Sequence, residues 1–187
     1  FHRNVEKIYV DTIVDEGTLN KNNTNFEIIN LKGHTLASIG ILTKDGVLFA
    51  GDLLVGEEVL NKYDFLFLQD VEEYLKSLDK IQSLDFNYLV LAHGRKVLDK
   101  DSTMLLINKH RQAIYKYLNQ IKENLKVPMN IDALLKKIIK ENELTYNYKE
   151  YYFFRTSLVT CISYLADLDE IDYTLEDSDL LYYTKIK

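Results

Sequence analysis

A mixed α+β protein in two parts is the fold class this sequence predicts, and three observations predict it. Short β-rich runs broken by turn residues fill the stretch from Val5 to Ala50. Apolar residues then recur at helical spacing from Val71 to Ile81, and beyond Asp101 three helical patterns precede a pair of strand patterns. With 187 residues, 47% of them hydrophobic, the chain is long enough to bury a sizeable core.

The strand runs are Ile8 to Val10, Phe26 to Leu31, Ile39 to Leu42 and Val47 to Ala50, and antiparallel pairing is expected for them. Lys44-Asp45-Gly46 between two apolar runs predicts a tight hairpin, because glycine enters positive φ without a Cβ clash. Gly17 and the polar stretch from Asn20 to Asn25 read as connections. Val71, Tyr74, Leu75, Leu78 and Ile81 then line one face of a helix, with Asp70 as its N-cap and Glu73 as the capping-box partner. Tyr88 to Ala92 follows as a buried strand.

In the second half, Ile107, Ile114, Leu118, Ile121 and Leu125 form a stripe on a long helix that begins near Asp101 or Ser102 and ends by Val127, ahead of Pro128. Asn130 caps a short helix carrying Ile131, Leu134, Leu135 and Ile138, and a third helix buries Phe154, Leu158, Cys161, Ile162 and Leu165. Strands over 171–175 and 181–184 flank the turn from Glu176 to Asp179. This α-α-α-β-β order is a winged-helix-like pattern, and it divides the chain into residues 1–100 and 101–187.

Composition narrows the function classes. A formal charge of -6 and the lack of any Lys/Arg block weigh against binding a nucleic-acid backbone, so nucleic acid is an unexpected partner. No run approaches the roughly 18 apolar residues of a membrane span, so no membrane partner is expected. The single cysteine, Cys161, excludes an internal disulfide framework and fits a reducing compartment, so a cytoplasmic location is expected. Cys161 itself lies on an apolar stripe and reads as a buried, inert thiol.

Three residues carry the candidate chemistry. His34, Asp52 and His93 stand at the ends of strand-like runs, in Gly33-His34-Thr35, Gly51-Asp52 and Ala92-His93-Gly94. Two imidazoles and a carboxylate on rigid strand ends are donors that a zinc-type site draws upon. Taken one at a time they are ordinary turn residues, since an Asp after Gly often satisfies turn backbone groups without any metal. His110, between Lys109 and Arg111, is expected on a solvated basic helix face. The aromatics Tyr146, Tyr148, Tyr151, Tyr152, Phe153 and Phe154 suit packing or a protein interface better than base stacking. From Pro128 to Lys187 there are seven Lys/Arg against eleven Asp/Glu.

The order Leu31-Lys32-Gly33-His34-Thr35, then Val47-Leu48-Phe49-Ala50-Gly51-Asp52, then Leu89-Val90-Leu91-Ala92-His93-Gly94 closely resembles the C-terminal half of the metallo-β-lactamase-fold hydrolases. The resemblance implies that residues 1–100 are the C-terminal part of an αββα sandwich, and the tail resembles a winged-helix-like appendage of one branch of that superfamily. It also implies two divalent metal ions, zinc, in the full-length protein. His34 would ligate the first, His93 the second, and Asp52, the catalytic residue, would bridge both. A metal-activated water would hydrolyse a small-molecule ester, thioester, amide or phosphodiester.

Two positions depart from the family pattern. Lys32 stands where a proline often precedes Gly-His-Thr, which touches only a turn. The His-x-His-x-Asp-His motif that completes both metal sites in the family is absent, and His2-Arg3-Asn4 does not reproduce it. The sequence opens at Phe1, so an upstream segment is expected to be missing. The fragment should then bind metal weakly or not at all and be inactive alone. Half a sandwich would expose apolar surface and strand edges, so self-association through residues 5–50 is expected. The competing readings are a noncatalytic interaction or nucleic-acid-binding module, and a ribonuclease whose tail guides RNA.

Overall fold

The computed structural model describes residues 8–63, 65–93 and 96–185. His2-Arg3-Asn4 and Gly94 of the Ala92-His93-Gly94 motif lie outside the described residues. Ile8 to Val10 is exposed and forms no strand. The first strand is β1 (Gly17–Lys21), a polar segment expected to be a connection. It is an edge strand with little buried surface, so hydrophobic patterning misses it. Asn22 and Asn23, both at positive φ, form the two-residue turn that joins it to β2 (Thr24–Asn30).

β3 (Ile39–Thr43) and β4 (Val47–Phe49) follow, joined by the expected hairpin with Gly46 at φ 80°. A short 3-10 turn, Gly51–Leu53, leads to α1 (Glu57–Lys62) and α2 (Val71–Ser83). β5 (Tyr88–Val90) and β6 (Val97–Asp99) complete a six-stranded sheet in the order β1-β2-β3-β4-β5-β6. All neighbours are antiparallel except β4 and β5, which pair in parallel. The antiparallel pairing expected for the runs up to Ala50 is found between β2, β3 and β4, and the parallel pair involves β5, for which no direction was expected. The chain crosses back through α2 between β4 and β5, the long connection that a parallel pair needs.

Asp70 caps α2 by accepting the Glu73 N–H at 2.9 Å. The reciprocal half of the capping box is not made: the Asp70 N–H donates to Gly33 O at 3.1 Å, and Glu73 pairs with Lys76 at 3.0 Å instead. The tail is α3 (Lys100–Asn124), α4 (Ile131–Glu141), α5 (Tyr148–Asp167) and the hairpin β7 (Ile171–Glu176) and β8 (Asp179–Thr184). α3 starts slightly earlier than expected because Asp99 is its cap, accepting the Ser102 N–H at 2.8 Å.

One face of the sheet, through Ile29, Leu31, Leu48, Leu89 and Leu91, packs on Val71, Leu78 and Ile81 of α2 and on α3. The same core continues between α3, α4 and α5 through Ile114, Leu134 and Leu158. The opposite face carries a row of directly paired apolar residues, Ile28–Ile41–Phe49–Val90–Val97, that takes no part in this core. Phe49 and Val97 remain 43% and 63% exposed. Among the described residues no helix is long and apolar enough to cross a membrane.

Candidate functional site

Topology brings the three predicted residues to one edge. β3 is antiparallel to both β2 and β4, and β4 is parallel to β5, so β2, β4 and β5 point the same way. His34, Asp52 and His93 each follow one of these strands, and so all emerge beyond the same end of the sheet.

They meet around the carboxylate. His93 Nε2 lies 3.2 Å from Asp52 Oδ1 and His34 Nε2 lies 3.9 Å from Asp52 Oδ2, so each carboxylate oxygen faces a different imidazole. His34 Nδ1 is 3.1 Å from Phe67 O. A carbonyl oxygen only accepts, so Nδ1 carries the hydrogen and, in the neutral ring, Nε2 presents its lone pair to Asp52. Two acceptors then face each other, an arrangement that a cation relieves.

The backbone around these residues is fixed by side chains that the sequence reading did not single out. Gly33 has φ 124°, and a Cβ there would lie 2.3 Å from Tyr74 Cα, so only glycine lets the His34 loop rest on α2. The Tyr74 hydroxyl donates to Leu53 O at 2.7 Å, tying the turn that carries Asp52 to α2. Burial raises the Tyr74 pKa far above its usual range, so it stays a donor. The Gly56 N–H donates to His93 O at 3.1 Å, linking the second histidine to the segment after Asp52.

His110 is not on a solvated face. It is 0% exposed, with Nδ1 donating to Leu106 O at 3.1 Å and Nε2 accepting the Val55 N–H at 3.1 Å. Only the neutral ring makes both bonds, and desolvation pushes its pKa down to about 4. The available signal was spacing: His110 falls on the Ile107–Ile114–Leu118 stripe, and its charged neighbours Lys109 and Arg111 concealed that.

A cleft of about 300 Å³ opens on the site. His34, Asp52, His93 and His110 line it together with apolar residues of the 53–67 segment and with Glu150, Phe153 and Phe154 of α5. The tail therefore forms part of the wall. No Lys or Arg lines the cleft among the described residues. Cys161 lies elsewhere, fully buried, its thiol pushed up to about 12 by desolvation.

The donor set suits a divalent zinc-type ion in kind but not in number. Each side of Asp52 offers one imidazole and one carboxylate oxygen, whereas a catalytic zinc takes three protein ligands. No group of three or more His, Cys, Asp or Glu able to hold a metal ion occurs among the described residues.

No protein-family model matches the chain. It is 25% identical over 123 residues to the Beta-lactamase-like protein 2 homolog of Drosophila melanogaster, an alignment covering 63% of this chain and 40% of that protein. A β-lactamase domain protein from Burkholderia ambifaria superposes with a TM-score of 0.73 at 15% identity, covering 92% of this chain and 52% of that structure. A metallo-β-lactamase family protein from Thermus thermophilus gives a TM-score of 0.71 at 15% identity, covering 92% and 54%. The chain thus spans about half the length of each structure and less of the curated relative. The sheet order and these two superpositions show that the chain shares the metallo-β-lactamase fold.

Proposed function

We propose that this chain carries part of a two-metal hydrolytic centre and that the whole protein is a metal-dependent hydrolase. The observation that carries the reading is the Asp52 carboxylate with a different histidine on each oxygen, at the common end of β2, β4 and β5. His34 would hold one divalent ion, zinc in this reading, His93 would hold the second, and Asp52 would be the catalytic carboxylate between them. Further donors come from outside the described residues. When bound, such ions supply Lewis acidity that polarises the scissile bond and acidifies water.

The chain's own residues do the positioning. Phe67 O fixes the His34 tautomer so that Nε2 is the donor atom. Tyr74 and His110 hold the turn and segment around Asp52 by hydrogen bonds made before any ligand arrives. The substrate is a small-molecule ester, thioester, amide or phosphodiester, handled in the cytoplasm. Residues 101–187 act as a winged-helix-like tail on a sandwich part formed by 1–100, with α5 closing one side of the cleft. Alone, the chain is inactive or nearly so, because each metal position has only two donors.

Zinc titration of this chain, followed by NMR of the imidazole groups, tests the reading. His34 and His93 should shift together, weakly bound, and Asp52→Ala should abolish the joint response; in the full-length protein the same substitution should remove most activity and lower the metal content. Unaltered imidazole signals at millimolar zinc would instead favour a noncatalytic interaction module.

A further inference from the structure

We propose that the outer edge of β7, in the terminal hairpin, is a docking site for an extended basic segment of a partner protein, which adds to the hairpin as a further strand. This goes beyond the hydrolase reading and does not depend on it. β7 follows the last turn of α5, whose 20 residues span about 30 Å, so the edge stands at the far end of that helix from Glu150 and the cleft.

The hairpin leaves this edge open. Asp177 and Ser178, both at positive φ, form its two-residue turn, so Glu176 and Asp179 are the flanking pair that exchanges both backbone bonds. Counting back by two, Asp172 and Thr174 also point their N–H and C=O groups at β8, while Ile171, Tyr173 and Leu175 point theirs outward. On β8 the outward groups are used: Tyr182 and Met129 exchange bonds at 3.0 and 3.1 Å, and the Thr184 N–H donates to Leu125 O at 2.9 Å. On β7 no further strand follows among the described residues, and the Tyr173 N–H is turned back on the Asp172 carboxylate at 2.9 Å. An incoming carbonyl can replace that local bond.

The two faces of the edge differ in chemistry. Tyr173 and Leu175, opposite Tyr182 and Leu180, share one face and are 62% and 72% exposed, although Ile171 on the same face is buried at the base. Asp172 and Glu176, with Asp179 opposite Glu176, share the other face. Residues 167–179 contain seven Asp/Glu and no Lys or Arg. Glu170 pairs with Lys122 at 2.7 Å, and Lys185 serves both Asp169 and Asp172. Asp167, Glu176, Asp177 and Asp179 make no ion pair among the described residues.

Charge selects the occupant. A second copy of the chain would bring the same carboxylates to the same edge, and like charges facing each other across strands oppose pairing. The phosphates of a nucleic acid meet the same repulsion. A strand that alternates apolar residues with Lys or Arg suits both faces at once. Its apolar side chains cover Tyr173 and Leu175, and its cations lie along Asp172, Glu176 and Asp179. The six residues of β7 offer about 20 Å of edge, room for an extended segment of similar length.

Titration of the full chain with peptides, followed by amide NMR, tests this. The probe is an octapeptide of alternating Lys and Val. Its counterparts carry Glu in place of Lys, or N-methyl groups on the backbone amides, and an octamer of deoxythymidine stands for nucleic acid. The Lys-Val peptide should shift the Ile171, Tyr173 and Leu175 amides, and N-methylation should weaken it at least about tenfold by removing the backbone donors. The Glu-Val peptide and the oligonucleotide should leave those amides unmoved. Glu176→Lys with Asp179→Lys should weaken the Lys-Val peptide several-fold and admit the Glu-Val peptide. An N-methylated peptide that binds as tightly as its parent, shifts confined to other parts of the chain, or β7 shifts caused by the oligonucleotide would overturn the proposal. No zinc enters this measurement, so it and the zinc titration fail independently.

Discussion

At the scale of single residues, His110 shows how a buried polar side chain organises a site through the backbone it holds. Its ring satisfies Leu106 O and the Val55 N–H at once, and so stays neutral. Its pKa falls from 6.5 to about 4 in the folded chain because burial disfavours the charged form. The sign follows from proton counting. Between those two values the unfolded chain binds the proton and the folded chain does not, so stability falls as pH drops through this window and levels off below about 4. The full effect is ~3 kcal/mol. Urea denaturation across this range should register that loss, and His110→Gln should flatten it. A wild-type curve indifferent to pH between those values would count against a neutral buried ring.

At the scale of elements, α5 is the helix whose start matters most, because its first turns carry Glu150 and Phe153 to the cleft. Asn147 accepts the Lys149 and Glu150 N–H groups at 2.8 and 3.2 Å, and Glu150 accepts the Asn147 N–H at 2.9 Å, closing a complete capping box. Asn147→Ala should therefore cost ~1 kcal/mol in a denaturant melt and speed amide exchange in the first turn of α5. If exchange there were unaltered, the cap would not be what orders this wall. Elements also account for what patterning missed. β1 (Gly17–Lys21) and β6 (Val97–Asp99) are short and largely exposed, so neither leaves an apolar run. α1 (Glu57–Lys62) is six residues with one fully buried side chain, too short for a periodic signal.

At the scale of the whole molecule, the row Ile28–Ile41–Phe49–Val90–Val97 dominates. Ile28 is itself buried, and from Ile41 to Val97 the row is partly or largely exposed across four strands, which monomeric surfaces seldom present. We therefore expect self-association, moved from the strand edges of 5–50 to this sheet face. Light scattering should give a mass above the 21.9 kDa of one chain, and Phe49→Lys with Val97→Lys should return it to the monomer. A monodisperse wild-type monomer at high concentration would sink the idea.

Local sequence was enough for the α2, α3, α4 and α5 segments, the hairpins around Gly46 and Glu176–Asp179, and the identity of His34, Asp52 and His93 as strand-end residues. These are short-range properties, written in apolar period, caps and turn chemistry. Long-range packing settled the rest. The parallel β4–β5 pairing places three strand ends at one edge, and that choice brings Asp52 within reach of both imidazoles. Whether a histidine between two cations faces water or core depends on which helix face its neighbours cover, and the fold covers the one that bears His110. Phe67 and Phe153, whose ring centroids lie 5.1 Å apart in the cleft lining, are far apart in the chain, so no window of sequence contains the pair.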